Sequence, residues 1–130
     1  MTRLTWDQFF LGVAAAAAAR ADCSRRQVGA VIVSPDHRVV GFGYNGSPPG
    51  EPGCLSDGAC PRAKEGVPHG RGDYDNCISV HAEANAIMFS NWQERQGSTI
   101  YVTHEPCAGC SKLIRGSGIA RVVTPEGQWV

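Results

Sequence analysis

The sequence predicts a single α/β domain built on a mixed sheet, and three observations carry that prediction. Helical patterns alternate with short β-branched runs along most of the chain. The first two β-branched runs are separated only by the turn Ser34-Pro35-Asp36-His37 and so form a hairpin, whereas the later runs are separated by helical patterns. The length of 130 residues suits one domain with its own core.

Taken in order, Thr5-x-x-Gln8 has the form of a capping box, and alanine, the best helix former, dominates residues 11–21. A helix is expected over residues 5–21. Its small-residue surface suits close packing against a sheet or another subunit, although alanine also serves as plain helix filler. Strands come next over 28–33 and 38–44, closed by a Pro-Asp turn. Residues 46–79 carry no period. They hold Cys54, Cys60, Cys77 and His69, and half of the glycines and prolines fall within 46–72. A loop this long inside a compact domain needs something to organise it. Residues 80–91 read as a helix with Ala82, Ala86 and Phe89 on one face, and 98–103 as a strand. Residues 107–117 form a short helix opening after Pro106, where proline suits a helix start. A last strand spans 119–123. No internal repeat is visible.

Composition narrows the function. Twelve basic residues balance twelve acidic ones, which disfavours a nucleic-acid partner. Hydrophobic residues make up 42%, too many for a disordered chain. The apolar run 9–19 is too short to span a bilayer, and Trp6-Asp7-Gln8 precedes it instead of a cationic segment. The expectation is therefore a soluble cytoplasmic protein with no membrane partner and reduced thiols. Six cysteines are then better read as metal ligands than as disulfides.

Two motifs carry chemistry: His81-Ala82-Glu83 and Pro106-Cys107-Ala108-Gly109-Cys110. A Cys-x-x-Cys at a helix start puts two sulfurs on one side of the first turn, where the helix dipole favours thiolate. One imidazole completes three protein ligands, and zinc with three protein ligands keeps a fourth position for water. Glu83 is placed to take a proton from that water and deliver it to a leaving group. A redox Cys-x-x-Cys has no use for the His-x-Glu pair, and a closed structural site would leave Glu83 as a surface residue. Elsewhere, Asn45 is either a turn residue beside Gly46 or a recognition amide at a strand end. Ser24, Arg25 and Arg26 are either a phosphate clamp or a solvated basic turn. Arg71 and Arg115 are further anion candidates.

The His-x-Glu with Pro-Cys-x-x-Cys is the pattern of zinc-dependent base deaminases, and the chain resembles the deoxycytidylate (dCMP) deaminase branch of the cytidine deaminase-like superfamily. The resemblance is carried by Cys23-Ser-Arg-Arg-Gln-Val-Gly-Ala-Val-Ile-Val33, Gly43-Tyr-Asn-Gly-Ser-Pro-Pro-Gly50, His81-Ala-Glu-Ala-Asn-Ala-Ile87 and Tyr101-Val-Thr-His-Glu-Pro-Cys-Ala-Gly-Cys-Ser-Lys-Leu-Ile114. These segments stand in family order and cover most of residues 5–123. Gly-Tyr-Asn-Gly and Asn85 point to the dCMP branch more than to tRNA adenosine deaminases.

The resemblance implies a cytidine deaminase-like α/β/α fold and hydrolytic deamination of dCMP to dUMP and ammonia, feeding thymidylate synthesis. A zinc-bound hydroxide attacks the amine-bearing carbon, and Glu83 protonates the ring nitrogen and then the departing amine. His81, Cys107 and Cys110 hold the catalytic zinc. Asn45 contacts the nucleotide and Val28 lines the base pocket; Ala82, Ser24 and Arg26 join them as substrate-binding candidates, the last two for the phosphate if they are not a solvated turn. The resemblance also implies a second, structural zinc on Cys23 and Cys54, with Cys60 and Cys77 preferred for the other two places and His69 as a substitute. That site would clasp the Gly/Pro-rich loop. A homo-oligomer, commonly a hexamer, and regulation by dCTP and dTTP follow from the same resemblance. The family sheet has five strands, with a helix and strand after the one matching 119–123. The chain is therefore expected to be C-terminally shortened, with Trp129 or a neighbouring subunit covering the pocket. The alternatives are another or modified cytosine nucleotide or nucleoside, a tRNA adenosine, which the neutral charge disfavours, and a non-enzymatic zinc-held assembly protein, which Glu83 disfavours.

Overall fold

The computed structural model describes residues 2–58 and 78–130. The elements are α1 (Trp6–Ala18), β1 (Gly29–Val33), β2 (Val39–Tyr44), α2 (Ala82–Met88), α3 (Trp92–Arg95), β3 (Thr99–Val102), α4 (Ala108–Gly116), β4 (Arg121–Thr124) and β5 (Gly127–Trp129). The strands form one mixed sheet in the order β2-β1-β3-β4-β5. β1 is antiparallel to both β2 and β3, β3 and β4 are parallel across α4, and β5 folds back antiparallel on β4.

Strand alternation divides the core in two. Ala30, Ile32, Ile100, Val102 and Val122 face α2 and α4, and pack with Ala82, Ala86 and Ile114. Val31, Val33, Tyr101 and Val123 face the other way and pack with Phe10 and Ala14 of α1. The result is the three-layer α/β/α arrangement expected from the sequence.

The small residues have a packing reason on both faces. Ala14 and Ala18 of α1 are buried, and a Cβ at Gly29 would overlap the Ala14 carbonyl. The alanine run is therefore more than filler, because it lets α1 dock at backbone distance on β1. On the opposite face Gly43 meets the Ala82 carbonyl and the Ala86 amide, and Gly41 meets Ala86 and Ser90. β2 thus presents a glycine surface on which α2 sits. Pairing shifts from Ile32↔Gly41 to Val33↔Val39, so Val40 is an inserted bulge residue, and it packs against the α2–α4 core.

Several boundaries differ from the sequence expectation. The capping box of Thr5 and Gln8 forms as expected, but α1 ends at Ala18. The amides of Arg20 and Ala21 bond three residues back, which tightens the chain out of the α-helix. α2 is shorter than 80–91, and Phe89, expected on its buried face, is its exposed C-cap. α3 is an unexpected turn of helix capped by the Asn91 side chain. A fifth strand, β5, is present where no strand was expected, reached through a tight turn at Pro125-Glu126. Among the described residues no helix is long and apolar enough to cross a membrane.

Candidate active site

The site lies where β3 delivers the chain to α4 and where α2 begins. Carboxyl ends of strands are common ligand-binding positions in α/β sheets. His81 is the N-cap of α2 and Cys107 the N-cap of α4, and neither side chain caps its own helix. Both are turned toward each other instead. His81 Nδ1 lies 3.3 Å from Cys110 Sγ and 3.6 Å from Cys107 Sγ. The three donor atoms fall within 4.8 Å of one another, the only such group among the described residues.

This donor set fits zinc. Bond lengths of about 2.3 Å to sulfur and about 2.0 Å to nitrogen, at tetrahedral angles, place N and S about 3.5 Å apart. The observed separations bracket that distance. Burial, and then the charges of Glu83 and Cys107, push the Cys110 thiol well above its ordinary range. A divalent cation bound there would reverse that shift, because it holds a coordinating sulfur as thiolate. Glu83, in the first turn of α2, is only 4% exposed and acts on Cys110 through both charge and a hydrogen bond. It sits beside the donor cluster while the three softer groups form it.

The surrounding residues fix this end of the sheet. Asn45 is buried, and its side chain spans two strands' approaches: Oδ1 accepts from the Val28 amide at 2.8 Å and Nδ2 donates to the Arg26 carbonyl at 2.8 Å. Asn45 is thereby a backbone brace. Val28 is half-buried against the core and Ala82 is fully buried. Ser24 and Arg26 are exposed, and the amides of Arg25 and Arg26 donate to Cys23 Sγ at 3.4 Å. Arg115 lies in the last turn of α4, at the opposite end from Cys107. Trp129 pairs with Val122, while Gly127 pairs with Thr124 at the carboxyl end of β4.

Of the second cysteine set, Cys23 and Cys54 are both buried. Cys60, Cys77 and His69, like Arg71, lie outside the described residues. Asp22, Asn85 and the Gly46–Val80 backbone pair hold this region. Asp22 accepts from the Leu55 and Ser56 amides at 2.9 and 2.8 Å and from the Ser56 hydroxyl at 2.7 Å. Those bonds, the Ser56 hydroxyl foremost, hold its carboxyl below the usual range. The segment beside Cys23 is thus stitched to the segment beside Cys54. Asn85 donates to the Tyr44 carbonyl at 2.9 Å, tying α2 to the end of β2. Gly46 and Val80 exchange backbone bonds, which brings Val80, next to His81, against the start of the loop. An acid just before a cysteine, and an asparagine one turn after His81, were the available signals.

Comparisons with known proteins agree with this geometry. The family model for the cytidine and deoxycytidylate deaminase zinc-binding region matches residues 4–126. A deoxycytidylate deaminase of Mycobacterium phage D29 is 51% identical over 130 residues, covering 97% of this chain and 98% of that protein. The human deoxycytidylate deaminase is 38% identical over 120 residues, with 92% of this chain and 64% of its own length matched. The fission yeast enzyme is 39% identical, and the chain spans 37% of it. The dCMP deaminase of cyanophage S-TIM5, solved in complex with dCMP and dUMP, superposes with a TM-score of 0.70 at 23% identity, covering 95% of this chain and 83% of that one. That last likeness shows the shared fold.

Proposed function

The chain belongs to the cytidine and deoxycytidylate deaminase family, and we propose that it hydrolytically deaminates dCMP to dUMP and ammonia, supplying dUMP for thymidylate synthesis. The observation that carries this reading is the convergence of His81, Cys107 and Cys110 beside the buried Glu83. The near full-length match to a phage deoxycytidylate deaminase supports the substrate.

In this reading His81, Cys107 and Cys110 hold one zinc ion. Bound there, zinc supplies Lewis-acid activation of water near neutral pH. Glu83 takes up both protons of the attacking water in turn at its carboxylate, gives the first to the cytosine ring nitrogen and passes the second to the departing amine, and so ends the cycle as it began. Its burial keeps bulk water from short-circuiting that transfer. Asn45 holds the backbone of Arg26 and Val28 in place, so that the half-buried Val28 presents a fixed apolar wall to the base and the fully buried Ala82 backs it. Its remaining amide hydrogen serves the nucleotide. Ser24 and Arg26, exposed at the same end of β1, serve the 5′-phosphate.

The same proposal includes a second, structural zinc on Cys23, Cys54, Cys60 and Cys77, with His69 as a substitute ligand. Its support is that Cys23 and Cys54 are both buried on segments joined by Asp22. A cytoplasmic homo-oligomer, a hexamer in the fullest form of the reading, and regulation by dCTP and dTTP belong to it as well.

A substrate panel tests the activity. Ammonia release from dCMP should far exceed that from deoxycytidine and from 5-substituted dCMP. Preferential turnover of the free nucleoside would overturn the nucleotide assignment. Zinc per chain should be near two and fall to near one in Cys54→Ser. A value near one in both proteins would remove the structural site.

A further inference from the structure

We infer that Arg95 is a positioning residue for the metal site, acting through α2 and α4. The inference rests on the metal reading above and deepens it. Arg95 is only 8% exposed, and among the described residues no carboxylate pairs with it. A guanidinium in the interior without a counter-charge is costly unless its N–H fork is filled. Here carbonyl oxygens and one hydroxyl take up the Nε and Nη1 hydrogens. Nη1 donates to the Ile87 carbonyl at 3.0 Å, to the Ser90 carbonyl at 2.8 Å and to the Ser90 hydroxyl at 3.0 Å. Nε donates to the Ser117 carbonyl at 3.2 Å. The Trp92 ring lies 5.6 Å away and covers the cation.

These acceptors are not scattered. Ile87 and Ser90 lie at the end of α2, and Ser117 is the C-cap of α4. One guanidinium therefore holds the negative ends of both helix dipoles, which take the place of a carboxylate. At their other ends the same two helices begin at His81 and Cys107, whose donor atoms converge. α2 has seven residues and α4 nine. Such rods are about 10 and 14 Å long, too short to bend, so a splay at one end is felt at the other. Metal ligands tolerate displacement of only about 0.2 Å. Arg95 thus closes the helix pair at one end so that the ligands register at the other. α3 exists to deliver it: Asn91 caps the turn that carries Arg95 inward. Lysine, with a single point charge, lacks the fork that reaches both helices.

The test compares zinc-loaded native protein with Arg95→Met, Arg95→Lys and Arg121→Gln. Zinc release to a chromogenic chelator reports affinity, with His81→Ala marking the zinc that belongs to this site. Cobalt(II) substitution reports ligand geometry through its absorption bands. Thiolate-coordinated cobalt bands that are present in the native protein and lost in His81→Ala establish the site. Their absence there overturns the metal reading, and this inference with it. Given those bands, Arg95→Met should lose about 10–100-fold in zinc affinity and shift the cobalt bands, with Arg95→Lys between it and the native protein. Arg121→Gln, which breaks an ion pair on the opposite sheet face, should lower the melting temperature and leave both metal readouts native. Native affinity and native bands in Arg95→Met overturn the inference, as they do in Arg95→Lys if the methionine variant fails to fold. An equal loss in Arg121→Gln also overturns it, since the effect would then follow stability alone.

Discussion

The two faces of the sheet use the same packing trick for different ends. On both, a small-residue helix docks on a glycine: Ala14 and Ala18 on Gly29 on one face, Ala82 and Ala86 on Gly43 on the other. Around α1, polar groups are spent on stability. Thr5 and Gln8 cap the helix reciprocally, Trp6 stacks on His37 with ring centroids 4.1 Å apart, and Asp7 is shared between Tyr101 and Arg121. Around α2 and α4 the N-cap positions are left without side-chain caps, and Glu83 is buried. That face forgoes capping stabilisation and gains a converging donor set. The difference teaches that the chemistry sits where local helix rules are broken and the scaffold compensates elsewhere.

Breaking the donor set should produce the largest effect. Cys107→Ala should lower dCMP turnover by at least about 10³-fold, because several kcal/mol of Lewis-acid stabilisation is lost with the metal. Turnover assays with zinc analysis check this.

Adding one methyl group on each face sharpens the contrast. Gly29→Ala and Gly43→Ala should each cost about 1–3 kcal/mol in denaturant unfolding, since each forces a helix off the sheet. Only Gly43→Ala should also weaken zinc binding, because only α2 carries His81 and Glu83.

The smallest effect should come from Tyr101→Phe, which removes the 2.7 Å hydrogen bond to Asp7. It should cost about 1 kcal/mol and leave turnover unchanged. The pH dependence of stability reports on the same cluster. The Arg121 hydrogen bond, more than that of Tyr101, holds the Asp7 carboxyl below its ordinary 3.8, so its contribution is present above that value and lost as pH falls below it. Burial, and then Asp7, push Tyr101 up to about 12, so its contribution is present below the ordinary value of 10.0 and lost as pH rises through about 12. In Tyr101→Phe the alkaline limb should disappear.

Much of the fold and the donor set was legible in the sequence because the signals are local. The Thr5–Gln8 box, the hairpin turn and the order of helices and strands each occupy a few consecutive residues. So do His81-x-Glu83 and Cys107-x-x-Cys110, and the fold only had to bring two helix starts together. What escaped depends on distant backbone groups. Arg95 and its partner Ser117 are 22 residues apart in sequence, and a carbonyl acceptor leaves no mark on residue type. Asp22 reaches 33 and 34 residues ahead to loop amides for the same reason. β5 has three exposed residues and therefore no alternation to read. Asn45 suggested a substrate amide, and its bonds to Arg26 and Val28 show a side chain that braces the backbone.

The central claim is that Glu83 moves protons beside a zinc it does not hold. Glu83→Gln keeps the shape of the side chain and removes its base, so zinc content and ammonia release from dCMP, measured on the same sample, test the claim together. The predicted result is native zinc per chain with turnover reduced about 10²–10⁴-fold. Native turnover in Glu83→Gln, or loss of the zinc assigned to His81, Cys107 and Cys110, would contradict it.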